Sequence, residues 1–513
     1  MTHAPYNLAS RLLAASLAAR PNQTAFIDAN GARSYADLAD EIKKVSAALI
    51  AQGLAPGDRV LLCMVDSGGL VGAFLGAITA GVVPVLLNTV LTADDYAYVL
   101  GDAEPAAILV SGSLWPVWRQ AIETAAWKGM AIIDGEAAAP AVRLSDLLAA
   151  GSPACRTYPA RPEDTAFWLY SSGSTGRPKG VLHRHDAAMA TAELFADKVL
   201  GLKSDDVIYS AAKLFFAYGL GNGLTFPIHA GATAVLFPDR ATAEAVCDIL
   251  LRHKVTVFCG VPTLYAALLA SPHLPKGGFP ALRLCTSAGE ALPQALGEAW
   301  TDRTGVEIID GIGSTEMLHI FVSNRPGAVR YGATGHAVPG YAVKLVDESG
   351  AAPADGDIGE LWVQGPSMTS GYWNQPAKNA ETFVGGWMRT GDKFWRDTDG
   401  ALIHTGRADD MLKISGIWVS PGEVENVLLS HPAVLEAAVI GVTDADGLIK
   451  TKAFVVLKPG EVGDDVLSAE IQAFVKARLA PHKYPRLIAF VQDLPKTATG
   501  KIRRHVLRER EGA

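Results

Sequence analysis

Short apolar runs alternate with segments of helical length along the first 310 residues, and this alternation constrains the fold more than any other feature of the sequence. Five runs have the length and apolar character of buried strands: DVIYSAA, GATAVLF, VTVFCGV, LRLCTSA and VEIIDG. Helix-length segments, such as residues 241–253 and 293–303, separate such runs. Alternating strands and helices form layers of helices on largely parallel sheets, joined by right-handed crossovers. The sequence therefore predicts an α/β fold.

Residues 68–87 contain no charged side chain, and twenty such residues are enough to span a bilayer. Gly81 and Pro84 divide this stretch into a piece of helical length and a strand-length piece, VVPVLLN. That division is typical of a βα unit whose sheet is buried on both faces. We therefore expect these residues to lie in the α/β core, and we expect no membrane partner.

The pattern changes after about residue 335. Short strands broken by Gly, Pro and Asp predict a β-rich subdomain at about residues 335–406, either an antiparallel sheet or a small barrel. After residue 407 the sequence predicts a compact α+β unit with a strand at KISGIWV, strands at LEAAVIGV and KAFVVLK, and helices at residues 421–430 and near 466–479. We place the junction at residues 407–410. This divides the chain into a large N-terminal domain, residues 1–408, and a small C-terminal domain, residues 409–513.

Composition excludes several classes of protein. Hydrophobic residues make up 49% of the chain and charged residues 19%, which excludes a disordered protein. A net charge of −8 and a pI of about 5.9 argue against a nucleic-acid partner. The cysteines form no C-x-x-C pair, which is typical of a reducing compartment, and Arg11 and Arg20 interrupt the N-terminal apolar residues, so we expect no signal peptide and a cytoplasmic protein. The cysteines are Cys63, Cys155, Cys247, Cys259 and Cys285.

The C-terminal tail is basic although the whole chain is acidic. Residues 476–513 contain ten Lys and Arg against three Asp and Glu. Such a tail is either a solvated face or a surface that meets an anionic ligand.

The strongest local signal is the sequence YSSGSTGRPKG at residues 170–180, which follows an apolar run. Its hydroxyls, its closely approaching backbone N–H groups and the cation of Lys179 suit a cradle for a polyphosphate. The segment is not a Walker A loop, because that motif requires Gly where Pro178 stands. A generic Gly/Ser segment is more often an exposed flexible loop, but the length and composition here favour phosphate binding.

Six segments further along the chain resemble, in order, the motifs of the adenylate-forming superfamily of acyl-CoA synthetases, peptide-synthetase adenylation domains and beetle luciferases. With the Gly/Ser loop they span nearly the whole chain. The segments are FFAYG (215–219), SAGEALP (287–293), DGIGSTE (310–316), RTGD (389–392), TGRADDMLKISG (405–416) and PKTATGK (495–501). Six ordered matches make chance resemblance an implausible explanation.

The resemblance implies a site for ATP. The loop Ser171–Lys179 would close on the β- and γ-phosphates, the SAGE and DGIG segments would surround the adenine, and Asp392 would accept hydrogen bonds from the ribose hydroxyls. The superfamily usually has an aromatic residue where this chain has Arg389. The implied ATP- and AMP-binding residues are Ser171, Ser172, Gly173, Ser174, Thr175, Gly176, Lys179, Ala288, Gly289, Glu290, Asp310, Gly311, Ile312, Gly313, Ser314, Asp392 and Arg407.

Catalysis would require attack of a carboxylate on the α-phosphorus of ATP, so positioning and cationic stabilisation should contribute most. By resemblance, Thr315 and Glu316 lie beside the α-phosphate, and Glu316 is a Mg²⁺ ligand or contacts one. Lys501 resembles the lysine that bridges the carboxylate and the α-phosphate. By composition alone, Lys501 would be a solvated residue of the basic tail, and Glu316 a carboxylate at the start of a helix.

The two half-reactions share one site, so pyrophosphate must leave before a thiol arrives. The resemblance implies a large rotation of the C-terminal domain about Asp409, which withdraws Lys501 and brings another face of that domain to the site. Coenzyme A would then enter a tunnel whose residues include Gly416, where the missing side chain permits close approach. The implied tunnel residues are Lys413, Ser415, Gly416 and Trp418.

The pocket for the acid should lie between the FFAYG segment, the SAGE segment and the residues after Glu316. The combination of LFFAYGLGN and DGIGSTEMLHIF is similar to benzoate-CoA ligases and their hydroxybenzoate and aminobenzoate relatives, which implies a flat slot for a stiff aryl acid. A lone His on an apolar stretch is more often a core residue than a ligand contact, so for His319 both interpretations stay open. The implied pocket residues are Phe216, Ala217, Tyr218, Gly219, Ser287, His319 and Ile320.

The predicted function is an ATP-dependent ligase that converts an aryl carboxylic acid, benzoate or a hydroxy- or aminobenzoate, to aroyl-AMP and then to aroyl-CoA. Its substrates would be the acid, ATP and coenzyme A, with Mg²⁺ as cofactor, and a homodimer is possible. One alternative is a stand-alone adenylation enzyme that loads a carrier-protein thiol. Another is a non-catalytic protein that binds a nucleotide or an aryl acid.

Overall fold

The N-terminal part of the chain is built on two large sheets with parallel centres. The computed structural model describes residues 6–136, 141–150, 157–171, 177–407, 410–414, 417–443, 449–480, 483–496 and 502–511. Within these residues, the larger sheet has nine strands, of which six neighbouring ones, from Ile308–Gly313 to Thr24–Asp28, are parallel. Its spatial order is His336–Ala337, Ile320–Ser323, Ile308–Gly313, Leu284–Ser287, Val257–Gly260, Val207–Ser210, Thr233–Val235, Thr24–Asp28 and Gly31–Ser34.

The second large sheet has eight strands in the described part of the chain, and six neighbouring ones are again parallel. Its antiparallel end contains Lys179–Arg184, which follows the Gly/Ser loop. The spatial order is Gly371–Tyr372, Lys179–Arg184, Thr165–Ser171, Val83–Leu86, Arg59–Cys63, Ala107–Ser111, Met130–Asp134 and Val142–Arg143. Both sheets agree with the predicted α/β fold.

Helices connect the strands of both sheets. The described residues form sixteen α-helices, two π-helical segments (Ala192–Leu200 and Gly221–Thr225) and a 3₁₀ turn at Gly112–Leu114. The α-helices are Leu8–Ala19, Tyr35–Ala51, Gly68–Ala80, Ala93–Ala103, Trp115–Ala125, Leu144–Ala149, Ala187–Thr191, Ala217–Leu220, Phe226–Ala230, Ala243–Arg252, Pro262–Leu269, Gln294–Thr304, Pro376–Thr382, Pro421–Leu429, Asp465–Lys476 and Arg504–Glu511.

The charge-free stretch at residues 68–87 forms the predicted helix and strand. The helix Gly68–Ala80 is buried along nearly its whole length, and it ends at Gly81, whose φ of +81° suits a residue without a Cβ. The following strand, Val83–Leu86, hydrogen-bonds to a parallel strand on each side. Across the described residues, none of the helices combines the length and the apolarity needed to cross a bilayer.

A separate antiparallel sheet is formed by strands between residues 342 and 407. Its five strands in the described chain pair in the order Ala342–Val346, Gly359–Gln364, Trp387–Arg396 and Phe383–Val384, and Leu402–Arg407 also pairs with Trp387–Arg396. This is the antiparallel arrangement that the short, interrupted strands predict.

The C-terminal part is a small α+β unit. Its sheet contains Val434–Thr443, Ile449–Leu457 and Leu487–Phe490, and it packs with the helices Pro421–Leu429 and Asp465–Lys476. The prediction of one strand at KISGIWV was wrong, because Leu412–Ile414 and Ile417–Val419 are two antiparallel strands that pair with each other. Ser-Gly is a turn signal, and the apolar residues on either side of it concealed the signal.

The carboxyl ends of the two large sheets are joined by hydrogen bonds. The Leu214 N–H, after the strand Val207–Ser210, donates to the Asp66 carboxylate at 3.1 Å. The Gly68 N–H donates to the Asp28 carboxylate at 2.8 Å. Ligands of open α/β sheets bind outside the carboxyl ends of the strands, so this junction places the loops after those strands where a site is expected.

Candidate active site

A lysine, a glutamate and a tyrosine from three separate segments form the charged centre of the site. The Lys179 ammonium lies 3.3 Å from Oε1 of Glu316 and 3.8 Å from the centre of the Tyr372 ring. The Tyr372 hydroxyl donates a hydrogen bond to the same oxygen at 2.8 Å. Burial lowers the pKa of Lys179, while Glu316 opposes that shift. The glutamate therefore supports a buried cation that an anionic ligand could also support.

The backbone around Glu316 is tightly held. The Ser314 hydroxyl accepts from the Met317 N–H at 3.2 Å, and the carbonyl of Thr315 accepts from the Leu318 N–H at 3.0 Å. Leu318 has a φ of +63°, which is strained for a residue with a side chain. The Glu316 carbonyl accepts from the Thr369 N–H at 2.8 Å. This turn fixes Thr315 and Glu316 beside Lys179.

A second charged group surrounds Asp392, at the middle of the antiparallel sheet. Asp392 lies opposite Arg407 in the strand register, and their nearest charged atoms are 3.6 Å apart. Nε2 of His404 lies 3.4 Å from the other carboxylate oxygen. Arg389 instead pairs with Glu360, with its closest contact at 2.9 Å. Arg389, which departs from the superfamily pattern, is therefore paired with Glu360 and not with Asp392.

Several buried polar atoms near the strand ends have no hydrogen-bond partner among the described residues. They include Ser171 Oγ, Ser287 Oγ and Asp310 Oδ1. Ser287 and Asp310 are direct partners in adjacent parallel strands. Burial raises the pKa of Asp310 to about 8. Buried polar atoms normally have partners, so these atoms mark places where a polar ligand could supply them.

His319 lies in a cage of aromatic rings. Its ring centre is 5.1 Å from that of Phe195, 5.5 Å from that of Tyr218 and 4.5 Å from that of Phe226. Neither ring nitrogen has a hydrogen-bond partner in the described structure. Burial lowers the pKa of His319 to about 3, so the imidazole is neutral at physiological pH. The Tyr218 hydroxyl lies 2.6 Å from Oγ1 of Thr286, which fixes the tyrosine side chain.

Glycines permit close packing around this cage. A Cβ added at Gly221 would lie 2.4 Å from Cδ2 of His319, and one at Gly313 would lie 2.6 Å from the His319 carbonyl oxygen. A Cβ at Gly311 would lie 2.7 Å from the side chain of Ile320. Two of these glycines flank Ile312, so the DGIG segment packs directly on the strand that follows His319. A larger residue at Gly221 or Gly313 would therefore displace His319.

Comparison with known proteins decides the family. Residues 13–373 match the family described as "AMP-binding enzyme", and residues 423–501 match "AMP-binding enzyme C-terminal domain". The chain is 52% identical to a benzoate–CoA ligase of Thauera aromatica, over 98% of this chain and 96% of that protein.

The chain belongs to the AMP-binding enzyme family.

Solved structures resemble this AMP-binding enzyme over its whole length. A benzoate CoA ligase from Burkholderia xenovorans LB400 has a TM-score of 0.93 at 50% identity, and the match covers 98% of this chain and 100% of that one. The anthranilate CoA ligase AuaEII, solved in complex with anthranoyl-AMP, has a TM-score of 0.95 at 40% identity, with coverage of 99% and 98%. These structures support the fold of a large N-terminal domain of sheets and helices with a small C-terminal domain.

The structure brings together most of the predicted site residues of this AMP-binding enzyme in the two charged groups, the strand ends and the aromatic cage. Phe216 packs against the Phe215 ring, and Ala217 begins the short helix that carries Tyr218 and Gly219. Ala288 and Gly289 follow Ser287, and Gly289 has a φ of +97°. Other predicted residues lie outside the described residues: Ser172, Gly173, Ser174, Thr175, Gly176, Asp409, Ser415, Gly416 and Lys501. The side chains of Lys413 and Trp418 are also outside the description.

Sequence reasoning missed several residues that shape the site. Tyr372 contacts both Lys179 and Glu316, while Phe195, Phe226 and Gly221 enclose His319. Phe195 belongs to one π-helical segment, Gly221 begins the other, and Phe226 follows it. π-Helical turns occur frequently at functional sites. The Gly-Asn-Gly sequence at 221–223 was the available signal, since such glycines inside an apolar helix indicate close approach.

Cations of the basic tail pair with carboxylates inside the C-terminal part. Arg504 contacts Glu425 at 2.6 Å and Asp410 at 3.5 Å, and Arg508 contacts Asp410 at 2.9 Å. The field of Glu290, in the SAGE segment, also raises the pKa of Arg504. These two arginines are therefore paired with carboxylates of the C-terminal part.

The described residues contain no group of three or more His, Cys, Asp or Glu that could hold a metal ion by themselves. Mg²⁺ usually takes one or two protein carboxylates and completes its coordination with substrate phosphates and water. Glu316 offers one such carboxylate next to the cation of Lys179. The donor set therefore fits Mg²⁺ that arrives with ATP.

Proposed function

We propose that this enzyme activates an aryl carboxylic acid with ATP and transfers the aroyl group to coenzyme A. One observation supports this function above all: residues 314–320 place Glu316 in the charged centre and His319 in the aromatic cage. A single turn thus joins a site suited to phosphates with a dry pocket suited to a ring. The likeness to benzoate–CoA ligases supports the same substrate class.

Groups of the nucleotide would replace the present partners of the charged residues. Lys179, with Ser171 and the loop 172–176, would bind the β- and γ-phosphates in place of the Lys179–Glu316 contact. Asp392 would accept from the ribose hydroxyls while Arg407 neutralises it. Ala288, Gly289, Glu290 and the segment Asp310–Gly313 would surround the adenine, whose donors could satisfy the unpaired oxygen of Asp310. Ser314 would hold the turn below the phosphates.

Glu316 would bind Mg²⁺, either directly or through a water molecule. The ion would supply charge neutralisation at the phosphates. Thr315 and Glu316 are fixed by the backbone of residues 314–318, so they would hold their positions while Lys179 turns from the glutamate to the phosphates.

The aryl ring would lie against Tyr218 and the His319 imidazole. Phe216, Ala217 and Gly219 would form one wall, and Ser287 and Ile320 the other. Because burial keeps His319 neutral, the imidazole can pack against an uncharged ring, and a ring nitrogen could bind a hydroxyl or amino substituent. We therefore propose benzoate and its hydroxy- and amino-substituted relatives as the acids.

In the second half-reaction, the C-terminal domain would rotate about Asp409. Lys501 would stabilise the adenylation transition state and then withdraw, and Lys413, Ser415, Gly416 and Trp418 would line the tunnel for coenzyme A. We place the domain boundary at residues 408–409, with the β-rich subdomain at about residues 335–406, and we propose a homodimer as a possible assembly.

A panel of aryl acids with ATP, Mg²⁺ and coenzyme A tests the proposal. We expect AMP, pyrophosphate and a new thioester whose mass equals that of the aroyl-CoA. Release of AMP without any CoA thioester would reject the ligase and favour an enzyme that loads a carrier-protein thiol. Failure of every aryl acid to exchange pyrophosphate into ATP would instead favour a binding protein.

A further inference from the structure

The turn before the aryl-acid pocket depends on a carboxylate from the other large sheet. This turn, residues 211–216, follows the strand Val207–Ser210 and leads into the helix Ala217–Leu220. The Ala211 N–H donates to the Cys259 carbonyl at 2.9 Å, and the Ser210 hydroxyl donates to the Ala212 carbonyl at 3.0 Å. At Leu214, the N–H donates to Asp66 at 3.1 Å, across 148 positions of sequence. Asp66, which follows a strand of the eight-stranded sheet, thus anchors a turn that follows a strand of the nine-stranded sheet.

The turn packs directly on the helix that carries Tyr218. The Phe216 N–H donates to the Lys213 carbonyl at 3.0 Å, and the Leu220 N–H donates to the Phe216 carbonyl at 2.7 Å. Gly219 lies so close that an added Cβ would be 2.0 Å from the Lys213 carbonyl oxygen. A shift of the turn must therefore move Phe216 and the helix. Packed interiors transmit such shifts because they contain little free volume.

Asp66 is buried and lies three residues after the strand Arg59–Cys63. It is 5% exposed. A charged acceptor makes a stronger hydrogen bond to a backbone N–H than a neutral one does. The Lys213 ammonium, whose attraction favours the charged carboxylate, is itself fixed by donation to the Asp239 carbonyl at 2.6 Å and to the Phe237 carbonyl. A buried charge therefore supports the turn, with its counter-charge in the same turn.

A cavity of about 440 Å³ lies on the other side of Asp66. Its wall contains further carboxylates, Asp28, Asp134 and Glu136. Tyr209 lies near Asp66, whose charge raises the pKa of the tyrosine further. The groups that face Asp66 are thus the Lys213 ammonium, the neutral Tyr209 and the carboxylates across the cavity. Lys213 and the hydrogen bond from the Leu214 N–H favour the ionised form.

We propose that Asp66 is a positioning residue for the aryl-acid pocket, acting through Leu214 and the turn at residues 211–216 to hold Phe216 and Tyr218. The proposal rests on the proposed function, because the pocket it supports is the one assigned to the aryl acid. Asp66 has no described contact with Lys179, Glu316, Asp392 or Asp310. Its loss should therefore weaken the use of the acid and leave the binding of ATP unchanged.

The pH dependence has a definite sign. Burial raises the pKa of Asp66 to about 6. Below that pH the carboxyl gains a proton, and the turn loses its charged acceptor. Asp66→Asn carries a neutral acceptor of nearly the same shape at every pH. The ratio of wild-type to D66N activity should therefore fall towards one as the pH decreases through about 6, and taking the ratio cancels the titration of ATP.

The test measures KM for the acid and for ATP by pyrophosphate release in the full-length protein. Asp66→Leu should raise KM for benzoate by roughly tenfold, the effect of losing one charged hydrogen bond, and change KM for ATP by less than about twofold. Asp66→Asn should raise KM for benzoate by about threefold, since it keeps an acceptor. Asp134→Asn, a carboxylate on the same cavity, is the control and should match wild type.

Equal increases of both KM values would overturn the proposal, as would an unchanged KM for benzoate or an Asp134→Asn effect as large as that of Asp66→Leu. If Asp66→Leu does not fold, then Asp66→Asn and its pH ratio decide, and a ratio that stays constant from pH 5 to pH 8 overturns the proposal. Wild-type protein that activates no aryl acid would reject the proposed function itself, which is a separate result.

Discussion

The two halves of the candidate site differ in the charge of their side chains. In the charged half, Lys179 pairs with Glu316, and Asp392 pairs with Arg407. In the aromatic half, the nitrogens of His319 have no partner within the described residues, and burial holds the imidazole neutral. In the charged half the ionised side chains compensate one another, although Ser171 Oγ and Asp310 Oδ1 lack partners among the described residues there, whereas the aromatic half is centred on an uncharged imidazole.

This difference teaches how each half can bind. A nucleotide must replace the partners in existing ion pairs with its own charged and polar groups. The charged half therefore selects a ligand by how well its groups fit the positions of those partners, and not by attraction alone. A ring entering the aromatic half displaces no ion pair and gains from desolvated packing. Mutations in the charged half should therefore change the chemical step, and mutations in the aromatic half should change the use of the acid.

The largest expected effect comes from Lys501, which lies outside the described residues. Lys501→Ala should slow adenylation by about 10²–10³-fold, because it removes a donor used in the transition state. Conversion of supplied aroyl-AMP to the thioester should remain near the wild-type rate, as single-turnover measurements of each half-reaction would determine. The control is Lys496→Ala, whose ammonium pairs with Glu436 at 2.7 Å. Equal loss in both half-reactions would contradict the role of Lys501.

Glu316 provides the next test of the charged half. Glu316→Gln should lower kcat/KM for adenylation by about 10²-fold, because the variant loses the charge proposed to bind Mg²⁺ and to support Lys179. Tyr372→Phe removes the hydroxyl that donates to Glu316 and leaves the carboxylate charge in place, so it should cost about tenfold or less. Pyrophosphate release over a range of Mg²⁺ concentrations measures both. If Y372F costs as much as E316Q, the carboxylate charge is not the essential feature.

In the aromatic half, Gly221→Ala tests the close approach to His319. The added methyl group would collide with the imidazole, so KM for benzoate should rise by roughly tenfold while KM for ATP stays constant. Gly277→Ala is the matched control, because a Cβ there meets no atom within 4 Å. An unchanged KM for benzoate in G221A would show that the position of His319 does not matter for the acid.

The last prediction concerns stability rather than activity. The pKa of Asp310 is about 8, well above the ordinary value of 3.8, so between these pH values the folded protein holds a proton that the unfolded chain has released. This group therefore lowers the free energy of unfolding as pH rises, by at most about 1.4 kcal/mol per pH unit. Asp310→Asn should remove that slope. Thermal melts of both proteins from pH 5 to pH 8 check it, and parallel curves would contradict the raised pKa.

The sequence alone predicted the architecture because local patterns determine it. The alternation of apolar runs and helical segments corresponds to the two largely parallel sheets, and the break at Gly81 and Pro84 separates a helix from a strand as expected. Repeated turn residues likewise predicted the antiparallel sheet. The strand at KISGIWV was wrong because one apolar pattern extended across a turn signal.

The motifs also located the candidate site, but not the contacts that compensate its charges. Tyr372 lies 56 positions after Glu316, on a strand of two residues, so no periodicity pointed to it. Asp66 and Leu214 are 148 positions apart. Such contacts depend on how the sheets pack against each other, and a single sequence does not carry that information in its local pattern.

The arginines of the last helix have a mechanical consequence. Arg504 and Arg508 form ion pairs with Asp410, and Arg504 also forms one with Glu425. These ion pairs connect the first and last parts of the C-terminal unit. A rotation of the chain at its entry into this unit must therefore move the terminal helix together with the entry segment. Residue 501 precedes that helix by three positions in the sequence, so under the proposed rotation it would move with the entry point. Removal of the terminal helix would remove these ion pairs, so the entry segment would no longer be fixed to the end of the unit.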